Sequence, residues 1–449
     1  MSERGIIGRH AGTVLVGQLA TMAFGMTDTI VAGRYSQQAL AALSVGAAVF
    51  ITVFIGLMGV LQALLPTWAE LHGADRRQDL GRSVRQALYL ALIASAVGTI
   101  GLMFPDGLLR ATEVPPALQQ DVRAYLGVLV LALPAALLFR MYSTLNQSLG
   151  KPRLVTWLQL GSLVLKVPLT IWFTFGGLGL PAMGVVGCAW ATVVVNYTTL
   201  AAALWLVRTD EMYQSYAIWA PLERPDWRAI GQFARLGIPA GLAIMVEVTS
   251  FTFMSLLIAR QGTLAAAAHQ VGANVAAVLY MVPLSIAIAT SARVSYWLGA
   301  GDPKKARLAI RTGFRMGLLL ALTLAGLLAL ARDGLASVYS TDPKVAALAA
   351  GLLAWVAFYH LGDAIQALCV FVLRCYRVAV APLVAYCVLL WGGGVVGGYQ
   401  LAYRGMPPLD PLQSPSAFWI AASTSLGVLA IILPLILWRA VRRHRPASA

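Results

Sequence analysis

Glu247 stands in the middle of an otherwise apolar run from Gly237 to Ile258, and Asp28 and Asp363 lie in similar surroundings. A carboxyl at the centre of a membrane helix costs about 2.5–3.5 kcal/mol even on the mild insertion scale. A cation that arrives and departs is the natural offset, so the acids point to cation-coupled transport. Glu247 and Phe251 are four residues apart, as are Tyr359 and Asp363. At that spacing each pair shares a helix face. A carboxylate beside a ring suits a small metal cation or a lipophilic organic one, because the ring face attracts positive charge.

The segments that must carry these residues are membrane spans. The chain has 449 residues, 59% hydrophobic and only 11% charged, which leaves too little polar surface for a soluble domain of this size. Apolar stretches long enough to cross a bilayer recur from end to end. Hydropathy predicts twelve, near 11–33, 38–66, 87–104, 122–149, 154–176, 184–207, 235–259, 266–297, 313–331, 346–373, 380–403 and 417–438. The net charge of +15 does not mark a nucleic-acid surface, because about 23 of the cations fall on one side of the predicted topology and about seven on the other. That bias places both termini in the cytoplasm and sets basic side chains against anionic lipid heads. No cleavable signal peptide is evident in the long first span. Cys188, Cys369, Cys375 and Cys387 fit neither a disulfide framework nor a zinc site and read as small packing residues.

The most polar interior stretch, Arg208 to Arg235, follows the sixth span and divides the chain nearly in two, into 1–220 and 221–449. At one constant offset Val45-Gly46 meets Val271-Gly272, Gly73-Ala74 meets Gly299-Ala300, and Arg85 meets Arg311. Six spans per half is an even number, so the expected fold is an all-α polytopic membrane protein, two six-helix bundles related by a parallel pseudo-two-fold repeat. Pro134, Pro168, Pro239, Pro283 and Pro434 lie inside predicted spans, where each frees a carbonyl and permits a bend.

Four segments, in order and at the expected spans, resemble the NorM-like branch of the MATE (multidrug and toxic compound extrusion) transporters. They are Met22–Gly33 around Asp28, Leu236–Pro239 leading to Glu247, Ala268–Asn274, and Gly362–Gln366 leading to Leu373–Arg377. The resemblance covers about residues 10–440. It implies a coupling-ion site in the second bundle with Glu247 and Asp363 as ligands, and Phe251, Tyr359 and Asn274 beside it. Gln270 and Tyr280 match further polar and aromatic positions, expected to face the transported compound. It also implies a functional Asp28, hydrogen-bonded by Thr27 or Thr29. The implied activity is export of amphipathic, mostly cationic drugs in exchange for inward Na+ or H+, with no other cofactor, by a monomer in a bacterial inner membrane. One position departs from the pattern: Lys166 stands in the fifth span where the family commonly has asparagine. The expectation is that Lys166 pairs with Asp28 and replaces a mobile cation there; facing an aqueous cleft and its cargo is the alternative.

Other polar residues receive plainer readings. Arg140 lies deep enough to need a carboxylate or carbonyl partner, whereas Arg293 is near enough to a span end to snorkel. Asp342-Pro343 has the form of a helix N-cap, with contact to substrate near the outer mouth as the lesser reading. His269 reads as a packing and hydrogen-bonding residue. An intramembrane enzyme is disfavoured. Gly299-Ala-Gly-Asp302 resembles the motif of intramembrane aspartyl proteases, but it runs into Pro303-Lys304-Lys305 and finds no Tyr-Asp partner. There is no His-Glu-x-x-His, no Gly-x-Ser-x-Gly and no phosphate-binding loop. A lipid-linked-precursor flippase of related architecture would be expected to carry a more cationic cavity.

Overall fold

The computed structural model describes residues 2–104, 116–177, 179–405 and 410–443. They form α1 Glu3–Tyr35, α2 Gln37–Gln62, α3 Leu65–Gly73, α4 Arg77–Met103, α5 Pro116–Leu129, α6 Ala132–Ser148, α7 Pro152–Phe175, α8 Val185–Thr209 and the short α9 Glu211–Gln214. After these come α10 Trp227–Ala259, α11 Thr263–Gly299, α12 Pro303–Tyr339, α13 Pro343–Cys375, α14 Val380–Tyr386, α15 Gly397–Tyr399 and α16 Ser416–Arg443. Eleven helical segments are long and apolar enough to cross a membrane, or twelve when the bent pair α5–α6 is taken as one span. Among the described residues the fold is all-α. The twelve spans fall where hydropathy predicts them.

Two predicted spans are broken. The span expected at 122–149 bends by 46° between α5 and α6. Pro134 therefore sits in the first turn of α6, where the backbone N–H it lacks has no intrahelical acceptor in any case. Likewise α2 ends before Ala63, and Pro66 opens α3. Pro168, Pro239, Pro283 and Pro434 do lie inside helices. The eleventh span holds a feature that hydropathy does not signal, a π-helical stretch Cys387–Val396 followed by a second at Gln400–Arg404. The wide turn coincides with Gly392-Gly393-Gly394. Such turns are rare and cluster at functional positions.

The chain divides into two compact units, Val16–Gly241 and Leu242–Ala449 together with Met1–Leu15. Within the first, α7 packs closely on α8 because Gly187 has no side chain. A Cβ at that position would lie 2.5 Å from the carbonyl of Phe173 and 2.6 Å from the amide nitrogen of Thr174. Gly187→Ala is expected to destabilise the protein by about 1–3 kcal/mol, the usual cost of overpacking. A thermal melt of the detergent-solubilised protein that matches the parent would refute the close-approach argument.

The polar stretch after α8 is gripped by one face of α4. Arg85 donates to the Glu223 carboxylate at 2.5 and 3.3 Å and to the Ala217 carbonyl at 2.5 Å. The Tyr89 hydroxyl donates to the Glu223 carbonyl at 2.8 Å, and Gln86 donates to the Arg224 carbonyl and accepts from the Asp226 N–H. The hydrogen-bonded guanidinium of Arg85 holds the Glu223 carboxyl below its usual range.

In the second unit α13 is the central helix, packed by α11, α12 and α16. Its inner face is buried almost continuously from Ala349 to Cys375. Met1–Leu15 join this unit through Glu3, whose carboxylate accepts from Arg293 at 2.5 and 3.1 Å and from the Trp297 indole at 2.7 Å. Arg293 also lies over the rings of Tyr296 and Trp297. Arg293 does not snorkel: an acid at the far end of the chain reaches it instead.

Candidate cation and substrate site

The two acids of the second unit are brought together by an amide. Gln366 lies one turn after Asp363 on α13, and its Nε2 donates to Asp363 Oδ1 at 2.8 Å and to Glu247 Oε1 of α10 at 2.9 Å. The Tyr386 hydroxyl, at the end of α14, donates to the other end of the same amide, Gln366 Oε1. This fixes the orientation of the amide, with both N–H groups toward carboxylates and its oxygen toward the phenol. Each carboxylate keeps its second oxygen without a protein hydrogen bond among the described residues, and neither forms an ion pair with Lys or Arg there. Asp363 is 4% exposed and Gln366 1%. Two carboxylates held by a neutral bridge have two oxygens to offer a cation.

An aromatic wall stands beside the acids. Phe251 and Tyr359 approach at a centroid distance of 6.0 Å, and both pack edge-on against Trp419 of α16, at 5.7 and 5.6 Å. His269 completes the cluster, 5.7 Å from Trp419, and its Nε2 is 2.8 Å from the Ser255 hydroxyl. Its role here is packing and hydrogen bonding. Two glycines allow the close approach. A Cβ on Gly272 would come within 3.1 Å of the Trp419 ring, and one on Gly362 within 2.9 Å of Leu426. Tyr280 of α11 is half-buried, within electrostatic reach of both acids. Gln270 and Asn274 are not drawn into this cluster: they are exposed on α11 and bond each other at 3.0 Å. Asp342 is the N-cap of α13, accepting from the Lys344 N–H at 2.8 Å. Among the described residues no group of three or more His, Cys, Asp or Glu side chains could hold a metal ion. An ion at Glu247 and Asp363 would therefore draw its other ligands from neutral oxygens.

The first unit holds a different arrangement. Lys166 of α7 is fully buried, with its ammonium 2.7 Å from Asp28 Oδ1, 2.5 Å from the Thr192 hydroxyl and 3.2 Å from the Cys188 carbonyl. An ammonium has three protons, and three acceptors take them. None is left for a substrate in this arrangement. The Phe24 ring lies 5.0 Å away, and the Thr170 hydroxyl donates weakly to Asp28 at 3.5 Å. Thr27 and Thr29 do not serve Asp28. Each hydroxyl instead bonds a carbonyl one turn back on α1, Ala23 and Gly25 respectively, the usual competitor for a threonine inside a helix.

The chain matches the MatE family profile over residues 14–172 and 239–399. It belongs to the MatE family. It is 36% identical over 435 residues to the probable multidrug resistance protein NorM of Aromatoleum aromaticum, covering 97% of this chain and 94% of that one. It is 32% identical to the multidrug resistance protein PmpM of Pseudomonas aeruginosa, covering 96% and 91%. In fold it is similar to the eukaryotic MATE transporter AtDTX14, with a TM-score of 0.87 at 20% identity over 98% of each chain. It is also similar to the Vibrio cholerae MATE transporter VcmN in its bent form, with a TM-score of 0.83 at 19% identity over 98% and 97%.

For this MatE chain, four side chains around the site escaped the sequence reading as site residues. Gln366 had a signal, being three residues from Asp363 and thus on its helix face. Tyr386 and Trp419 had none, because each is an aromatic residue among mostly apolar neighbours with no acid one turn away on its own helix. Arg374 falls just past the span predicted at 346–373, yet it lies inside α13 at 2% exposure. Arg140 is half-buried and has neither the carboxylate nor the carbonyl partner expected for it among the described residues. Asp302, the acid of the protease-like motif, caps α12 by accepting from the Lys305 N–H at 2.9 Å. That bond, first among several, holds its carboxyl below the usual range.

Proposed function

We propose that this multi-pass membrane protein is a secondary multidrug efflux antiporter, exporting amphipathic, mostly cationic organic compounds in exchange for inward Na+ or H+ bound at Glu247 and Asp363. The observation that carries the reading is the pair of carboxylates bridged by Gln366, Asp363 buried and Glu247 half-buried, with no basic side chain hydrogen-bonded to either among the described residues. Occupancy by the ion drives a cycle only if its affinity differs between two conformations. The edge-packed rings of Phe251, Tyr359 and Trp419 give a lipophilic cation a surface beside those acids. In the first unit Lys166 acts as a resident counter-cation to Asp28, so the second unit couples alone. The names of the relatives support multidrug cargo, and acids with aromatics favour it over a pyrophosphate-bearing lipid precursor. The distribution of Lys and Arg supports cytoplasmic termini in a bacterial inner membrane.

The test is ethidium efflux from proteoliposomes under separately imposed Na+ and H+ gradients. One of the two gradients is expected to drive export well above the no-gradient rate. Export that responds to neither gradient overturns antiport.

A further inference from the structure

Arg374 is the least satisfied charged group among the described residues. It lies in the last turn of α13, 2% exposed, and its Nε, Nη1 and Nη2 are all buried without a hydrogen-bond partner. It forms no ion pair there. The Phe371 ring lies 4.6 Å beneath the guanidinium. A guanidinium does not give up its proton in proteins, and a buried charge without acceptors is costly. Side chains on a helix lean toward its N-terminus, so Arg374 leans back toward the turns bearing Gln366 and Asp363. The groups within its electrostatic reach are Glu247 of α10, Tyr280 of α11, Tyr386 of α14 and its neighbour Cys375. Of these Glu247 alone is a carboxyl, while both tyrosines border the two-acid site.

We propose that Arg374 sets the valence of the coupling-ion site. The inference rests on the reading of Glu247 and Asp363 as that site. Two ionised carboxylates carry two negative charges, and the fixed guanidinium standing off from them cancels one. A single monovalent cation, or a single proton, then completes neutrality. Because Arg374 makes no direct pair, both carboxylates keep an oxygen for the ion. Its positive field also loosens the grip on that ion, which a transporter must release on each cycle. Without Arg374 the site has a surplus of two negative charges, which suits a divalent cation or tighter binding of a monovalent one.

The experiment uses the full chain in proteoliposomes and reads the half-saturating concentration of the coupling ion for ethidium export. Where H+ is the ion, it reads the pH midpoint. Removing a unit charge about 10 Å away at an effective dielectric near 20 changes affinity roughly 15-fold. Arg374→Gln is therefore expected to lower the half-saturating Na+ by about that factor, or to raise the pH midpoint by about one unit, and to make export sensitive to Mg2+ or Ca2+. Arg374→Lys returns the value toward that of the parent. A charge-moving pair keeps the idea falsifiable where Arg374→Gln transports poorly. Glu247→Gln alone leaves the site neutral and unable to hold the ion, and adding Arg374→Gln restores one negative charge and part of the ion binding, measured by calorimetry. A folded Arg374→Gln protein with an unchanged ion constant and no divalent sensitivity overturns the inference, as does a double variant no better than Glu247→Gln. If Glu247→Gln itself exports at the parental rate, the reading of the site fails instead.

Discussion

Gradient-driven export is expected to collapse when either acid of the second unit is made neutral, as Glu247→Gln or Asp363→Asn. A carboxylate in contact with a cation at about 4 Å contributes about 4 kcal/mol at an effective dielectric near 20. Its removal should weaken ion binding by about three orders of magnitude. An ion that no longer binds cannot bias two conformations. Folding should survive, because an amide oxygen still accepts from Gln366 Nε2 where the carboxylate oxygen did. The two changes should not add, since either alone already empties the site, and the double variant is expected to be no worse than the singles. Proteoliposome efflux and ion calorimetry on the same preparations decide the matter. A well-folded variant that pumps at the parental rate under the same gradient removes these acids from the coupling mechanism.

The sequence reveals this site to the extent that one strong physical signal marks it. Glu247 and Asp363 are conspicuous because an acid in an apolar run demands an explanation, and Phe251 and Tyr359 follow from four-residue spacing on the same helices. Gln366 is harder to see, since a lone amide in a span has many ordinary roles; only the separation of Glu247 from Asp363 in space makes it a bridge. Tyr386 reaches that bridge from the end of α14, beside a π-helical turn that leaves no mark in hydropathy. Arg374 misleads for a different reason. Basic residues near span ends usually belong to loops, and α13 extends through Cys375. The fold shows the same division. Apolar length predicts the spans well, while the 46° break before α6 falls inside one continuous apolar stretch and leaves no mark in hydropathy. The Glu3–Arg293 pair joins residues 290 positions apart, which local pattern cannot signal.

Lys166→Met is expected to be the most destabilising single change in the first unit. The ammonium it removes is fully buried and gives its three protons to Asp28, Thr192 and Cys188. Without it the Asp28 carboxylate keeps only the 3.5 Å contact from Thr170. Breaking one side of a buried pair in this way costs about 3–5 kcal/mol. Asp28→Asn should be costly for the reciprocal reason, because a buried ammonium then loses its counter-charge. The combined variant is the informative one. Replacing both partners of a buried pair is often neutral, since the desolvation cost of each ion disappears together with their attraction. Lys166→Met with Asp28→Asn should therefore recover much of the lost stability, giving a coupling energy of opposite sign to the single losses. Thermal unfolding of the four proteins in one detergent measures it. If the double variant falls by the sum of the singles, the two side chains act independently, and Lys166 is not the resident cation of Asp28.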